Sequence, residues 1–591
     1  MRRERADIVI IGGGGAGLRA AIAAAEADPA LDIALVSKVY PMRSHTVAAE
    51  GGCAGVVQAH DSIDYHFDDT VSGGDWLCDQ DVVDYFVRHA TEENLRLEHW
   101  GCPWSRRPDG RVNVRAFGGM KIERTWFAAD KTGFHILHTL FQTAMQFPGI
   151  RRFDEVFCTD LLVADGRCGG AQGIDMASGE AVAFLAGAVI IATGGAGRVY
   201  RDNTNGGIVT GDGMALAYRQ GVPLRDLEFV QYHPTGLPGS GILVTEAARG
   251  EGGVLTNGHG YRYLQDYGLG PETPLGAPQN KTMELGPRDK VSQAFWHERQ
   301  AGRTVATDRG DAVHLDLRHL GEARIDERLP FIRDLARTYA NIDPVHEPLP
   351  VRPAVHYTMG GIQTDARTHT AVAGLFAAGE CASVGLHGAN RLGSNSLAEL
   401  LVFGRVAGEE AAERARGDDA GPEAPLLAQA EANAARWEAL RGARGEERLA
   451  DLRRAMATAM EDGVGIQRSP AAMARTAGTL AELRERYRRL GLEDDSRVFN
   501  TEWLSAIELG YLLDVAQAMT AAALARRESR GSHQRPEDFP QRDDDSFLCH
   551  SLVYHAGADA PRVDWQNVVI TRSAPAERHY GGAAQPQQAT A

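Results

Sequence analysis

The stretch Ala6–Ala27, ADIVIIGGGGAGLRAAIAAAEA, decides the fold. Ile8–Ile11 is apolar and β-branched, so Ala6–Ile11 is read as a strand buried on both faces of a parallel sheet. Gly12–Gly17 then turns the chain, Leu18–Ala27 reads as an Ala-rich helix, and Ile33–Ser37 as a second parallel strand. Gly12, Gly13, Gly14, Gly15, Ala16 and Gly17 fit G-x-G-x-x-G between that strand and that helix. Glycines there let backbone N–H groups and the helix N-terminus approach a pyrophosphate. The second strand ends in Ser37-Lys38, where an acid would hold ribose hydroxyls. The motif by itself therefore leaves NAD and FAD both open.

Further strands return to the same kind of ending. Ala188–Ala192 runs into Thr193-Gly-Gly-Ala-Gly197, and Gly374–Glu380 is again a strand closed by glycine and an acid. The nucleotide module is thus discontinuous. The expected class is α/β: a Rossmann-like domain binding NAD or FAD, with an inserted capping domain, a helical domain and a small C-terminal domain. The expected divisions are 1–235 and 355–416 for the two parts of the first domain, with 236–354, rich in Gly, Pro and Tyr, as the cap. GDDAGPEAP, Gly417–Pro425, reads as a linker. The helical domain is expected over 425–540, where Leu449, Leu452, Met456 and Met460 share a helical face. Residues 541–591 form the C-terminal domain, whose tail from Gly581 has a disordered composition.

The composition narrows the partners. The chain has 591 residues and a formal net charge of −17, which argues against nucleic acid as a partner. Its seven cysteines, at 53, 78, 102, 158, 168, 381 and 549, contain no C-x-x-C. No zinc site, iron–sulfur cluster or other metal site is expected, and scattered thiols fit a reducing cytoplasm. No apolar run reaches the ~18 residues of a membrane span, Ala181–Thr193 being the longest considered. The basic start is followed by too short an apolar run for export.

Taken together, Gly12–Gly17, RSHTVAAEGG (Arg43–Gly52), ATGGAGRVY (Ala192–Tyr200), NTNGGIVTGDGMALA (Asn203–Ala217), EFVQYHPTG (Glu228–Gly236), LVTEAARGEGG (Leu243–Gly253), GPRDKVSQA (Gly286–Ala294), HYTMGGI (His356–Ile362), GLHGANRLGSNSLAELLVFG (Gly385–Gly404) and ESRGSHQR (Glu528–Arg535) resemble the flavoprotein subunits of the fumarate reductase and succinate dehydrogenase family. The resemblance runs through almost the whole chain. It implies FAD, bonded covalently through its 8α-methyl to His45, with the alkylated imidazole raising the flavin potential. It places Ser44, Thr46, Glu50, Gly51, Gly52, Asp212, Glu380, Ser396 and Leu397 around the cofactor, beside Ser37, whose hydroxyl can take the place of the acid on ribose, and Lys38.

The substrate it implies, fumarate or succinate, carries two carboxylates and needs two separated sets of donors. The resemblance assigns His233 and Thr245 to one, His356 and Arg391 to the other. Arg288 donates the proton and is refilled through Glu246 and Arg249. The AEGG pattern at Glu50, against AQGG in succinate dehydrogenases, favours fumarate reduction. Electrons must come through an iron–sulfur subunit, and membrane anchor subunits must reach quinone, which places the chain peripherally on the cytoplasmic face of the cell membrane. The alternatives are a succinate dehydrogenase flavoprotein working oxidatively, a stand-alone L-aspartate oxidase-like flavoenzyme, and a non-catalytic flavin-binding scaffold.

Overall fold

A computed structural model describes residues 1–417, 422–557 and 559–579. Its centre is a five-stranded parallel sheet in the order Leu375–Ala377, Ala188–Ile191, Ile8–Ile11, Ile33–Ser37, Ile150–Asp154. The three middle strands are buried at every position, as their unbroken aliphatic runs require. Segments far apart in the chain meet in this one sheet, which is the α/β class expected.

The first helix spans Gly15–Ala27, beginning three residues before the expected Leu18. Gly14 caps it in an extended conformation with no side-chain bond, so the cap itself takes up none of the first-turn N–H groups, of which that of Gly15 donates to Thr46 Oγ1 at 3.1 Å. Gly12 has φ +118°, and a Cβ there would lie 2.2 Å from the Ala192 carbonyl oxygen. The helix packs along Asn395–Ala415, where a Cβ on Gly408 would come 2.2 Å from Ala20 O. Arg2–Arg5, which reads as a charged terminus, is an edge strand beside Glu180–Leu185 in a four-stranded sheet.

A second layer covers the groove end of the central sheet. Its antiparallel sheet has the order Val230–Gly236, Leu349–Thr358, Gly310–Asp316, Val254–Thr256. It has its own core, including Leu264, Val291, Val313, Leu315 and Leu349. The strand Leu349–Thr358 runs through position 354, so the cap joins the FAD-binding part by continuous β-structure rather than by a loop.

Helices Glu423–Arg441, Leu449–Gly463, Pro470–Tyr487 and Thr501–Ala525 follow. Leu452, Met456 and Met460 are buried on one face of the second, as the periodicity requires, with Leu449 half-buried. Thr501–Ala525 is the one described helix long and apolar enough to be weighed as a membrane span. Its mean hydropathy of 1.2 and its length are those of a span, although Glu508 and Asp514 interrupt the run. Packing explains it: 78% of its most apolar 18-residue stretch is buried inside the protein, which makes it a core helix.

The C-terminal strands Cys549–Tyr554 and Arg562–Asn567 extend a sheet through Leu224–Arg225. Buried charges tie this seam: His550 lies 2.6 Å from Asp226 and 3.2 Å from Asp79, and Arg526 lies 2.6 Å from Glu228. Part of the expected linker, 418–421, and the tail from 581 lie outside the described residues.

Candidate active site

A groove opens at the C-terminal ends of the parallel strands. Gly12, Gly13, Gly14, Gly15, Ala16, Ser37, Lys38, Ser44, His45, Thr46, Asp212, Glu380, Ser396 and Leu397 line it. Gly17, Glu50, Gly51 and Gly52 do not. Gly17 lies in the first turn of the helix and packs against the glycine turn, where a Cβ would fall 1.9 Å from Gly12 O. Gly51 faces the substrate side instead, with its Cβ position 2.7 Å from Phe117 and 3.7 Å from Thr245 Oγ1. Glu50 is buried, and burial pushes its carboxyl well above the usual range.

Where an acid was expected for ribose, Lys38 Nζ sits 2.6 Å from Asp212 and 2.9 Å from Glu508. Burial works against its charge, but the two carboxylates outweigh that and raise its pKa. Glu508 carries no sequence signal for this role, since it belongs to the distant helix Thr501–Ala525. Glu380 accepts from the Thr358 N–H at 3.0 Å, and burial lifts its carboxyl to about 7.

His45 stands at the inner end of the groove, half-buried. Its Nε2 lies 3.3 Å from Asn205 Nδ2, and the Gly206 N–H faces its Nδ1 at 3.4 Å. Burial lowers its pKa to about 4, so the imidazole is neutral at physiological pH. The groove suits FAD by its own chemistry. Consecutive glycines bare the backbone at the helix start, and Thr193 Oγ1, on the groove wall, is buried with no hydrogen-bond partner among the described residues.

His356 lines the groove and also begins a second cluster between the two layers. The register of Val230–Gly236 against Leu349–Thr358 passes from Gln231–Tyr357 to Tyr232–Val355. His356 is therefore the extra residue of a bulge, a device that re-aims side chains beside functional sites. Its ring lies 5.1 Å from that of His233. Thr204 Oγ1 is 2.8 Å from His356 Nδ1, and the Thr235 N–H donates to His233 Nδ1 at 3.3 Å. The His233 proton is thereby left on Nε2, as a donor. Burial, then Arg288, drives both histidines well below the ordinary value, so both are neutral.

All seven expected substrate and catalytic residues come together here. Thr245, Glu246, Arg249, Arg288 and Arg391 are buried with His233, while His356 is half-buried. Arg288 Nε donates to Glu246 Oε2 at 2.8 Å, and Arg249 Nη2 lies 3.5 Å from Glu246 Oε1. The Gly118 N–H also donates to Glu246, at 2.6 Å. Burial works to raise Glu246, but Arg288 and Arg249 outweigh it and hold its carboxyl below the usual range. The Arg391 guanidinium lies 4.5 Å above the Tyr357 ring. Three guanidiniums against one carboxylate leave a formal surplus of two positive charges, the complement of a dianion. Asn205, Thr193, Gln231 and Tyr357 also belong to the site, although only their membership of motifs hints at it.

A parallel sheet with its groove at the strand ends, capped by an inserted antiparallel layer over a cationic pocket, defines an FAD-binding flavoprotein. A family model described as FAD binding domain matches residues 7–397, and one described as fumarate reductase flavoprotein C-term matches 453–580. The fumarate reductase flavoprotein subunit of Proteus vulgaris is 64% identical over 588 residues, covering 99% of this chain and 98% of its own. A solved structure of a variant E. coli quinol fumarate reductase is 63% identical, with a TM-score of 0.97, over 99% of this chain and 100% of that one. A quinol–fumarate reductase structure with menaquinol molecules is 64% identical, with a TM-score of 0.95, over 98% and 100%. The chain belongs to the fumarate reductase and succinate dehydrogenase flavoprotein family.

Proposed function

We propose that the chain is the catalytic flavoprotein of a quinol:fumarate reductase, with its flavin bonded to His45. The observation that carries this reading is the buried pocket with two surplus positive charges at the inner end of the FAD groove. Neutral His233 and Thr245 hold one carboxylate of fumarate, and His356 and Arg391 hold the other. Polarising both carboxylates draws electron density from the double bond, so charge developing in the transition state meets fixed positive groups. FAD, when bound and reduced by two electrons, would supply a hydride to one alkene carbon.

Arg288 gives the proton to the other carbon. A free arginine stays protonated at any physiological pH, so the transfer is concerted with refilling across the 2.8 Å contact, the ionised Glu246 taking a proton from Arg249 and handing it to Arg288 in the same event. Arg249 lies on the far side of Glu246 and passes protons to it. The neutral His45 imidazole would keep the electron pair needed to bond the flavin methyl carbon, with the methyl group giving up a proton and the flavin ring taking up two electrons. The partners are an iron–sulfur subunit and membrane anchors that carry quinol electrons to the flavin, with the chain on the cytoplasmic face of the membrane. This is supported by the menaquinol of the similar complex and by a sequence that spaces no cysteines for a cluster.

Arg391→Lys tests the carboxylate clamp. Lysine keeps the charge but loses the two-pronged fork, so kcat/KM for fumarate falls on the order of 10- to 100-fold, with a raised KM. Steady-state kinetics with reduced viologen reads it. Wild-type constants in this variant would remove Arg391 from the clamp.

A further inference from the structure

Gln231 has no part in the proton or carboxylate roles above. It is wholly buried on the strand Val230–Gly236, two residues before His233, so the pleat points both toward the pocket. Its Oε1 accepts from Arg288 Nη1 at 2.9 Å and from Arg391 Nη2 at 3.0 Å. Its Nε2 donates to Asn390 Oδ1 at 3.0 Å and to the Arg391 backbone carbonyl at 2.7 Å. These four contacts fix which end of the amide is oxygen. Turned over, its NH2 would face two guanidiniums, donor against donor.

We infer that Gln231 is a positioning residue: one neutral oxygen holds the proton-donating Arg288 and the carboxylate-binding Arg391 at a set separation without neutralising either. The inference rests on the dicarboxylate reading of this pocket. Two buried guanidiniums repel, and a shared acceptor offsets that repulsion. A carboxylate at 231 would bridge them more strongly, but it would cut the pocket's formal surplus from two positive charges to one. A dianion would then meet one uncompensated charge fewer. An apolar side chain of the same length would leave the surplus intact and let the two arginines part. Charge and geometry are therefore separable by choice of substitution.

The test uses the FAD-loaded chain and two variants, Gln231→Glu and Gln231→Met. Malonate, a dicarboxylate with no carbon–carbon double bond to reduce, is titrated against flavin absorbance, and fumarate reduction by reduced viologen gives kcat and KM. Gln231→Glu weakens malonate at least about tenfold, because it adds a negative charge. Gln231→Met changes malonate affinity less than about threefold and lowers kcat about a hundredfold, because the proton donor is no longer held in line. If Gln231→Glu fails to load FAD, the kcat and malonate values of Gln231→Met decide alone. Wild-type kcat in Gln231→Met overturns the inference. So does an equal loss of malonate affinity and turnover in that variant, which would mean lost packing only. Failure of malonate to perturb the flavin in the wild type would instead bring down the dicarboxylate reading itself.

Discussion

Replacing Arg288 with alanine is expected to abolish fumarate reduction, by on the order of 10⁴-fold in kcat, with FAD still bound. General acid catalysis contributes about 10²–10⁴, and the same guanidinium also stabilises charge developing on the substrate. The substitution leaves Glu246 with Arg249 at 3.5 Å and the Gly118 N–H at 2.6 Å, so the buried carboxylate keeps partners. Gln231 keeps its contact with Arg391 at 3.0 Å. Arg288 is absent from the FAD groove lining, so flavin content is unaffected. Stopped-flow or steady-state assays with reduced viologen, beside a flavin absorbance spectrum, check both halves. Turnover within tenfold of wild type would remove Arg288 as proton donor.

His45→Ser is expected to separate the two directions of the reaction. The glycine turn, the Lys38–Asp212–Glu508 triad and Glu380 remain, so FAD still binds, now without a covalent bond. After acid precipitation, colour stays with wild-type polypeptide and leaves with the variant's supernatant. On the proposed tether, loss of the alkylated imidazole lowers the flavin potential. Each ~30 mV of that fall shifts a two-electron equilibrium about tenfold against succinate oxidation. Succinate oxidation therefore collapses, while fumarate reduction, which runs downhill from a stronger reductant, is kept within about an order of magnitude. Colour that washes out of the wild type, or equal losses in both directions, would contradict the tether.

The parts of this site legible in sequence are those with short-range signatures. Ile8–Ile11 and Ile33–Ser37 announce buried strands by composition, and the glycines between them announce a phosphate turn. His233, Arg288 and Arg391 are legible through the motifs around them, and they converge as expected. What stayed hidden depends on tertiary placement. Gln231 is one polar residue in a strand until Arg288 and Arg391 arrive from elsewhere in the chain to share its oxygen. Glu508 lies in an apolar core helix whose face toward Lys38 no periodicity marks. Cys549–Tyr554 pairs with Leu224–Arg225, more than three hundred positions earlier, and nothing local in either strand names the other. The bulge at His356 is equally silent in sequence, being a difference in register between two strands.

The measurement that tests the account most directly compares electron donors for the purified, FAD-loaded chain alone. Reduced viologen is small and soluble, reaches the flavin, and needs no relay. On the proposed reading, a menaquinol analogue depends on a cluster and a lipid-facing quinone site supplied by partner subunits. The account predicts rapid fumarate reduction with viologen and almost none with the quinol, and restoration of quinol activity when an iron–sulfur subunit and anchors are added. Robust quinol:fumarate turnover by the lone chain would contradict its place as one part of a larger complex. Absence of fumarate reduction with viologen, or peroxide formed from L-aspartate in air, would contradict the dicarboxylate chemistry assigned to the pocket around Arg288 and Arg391.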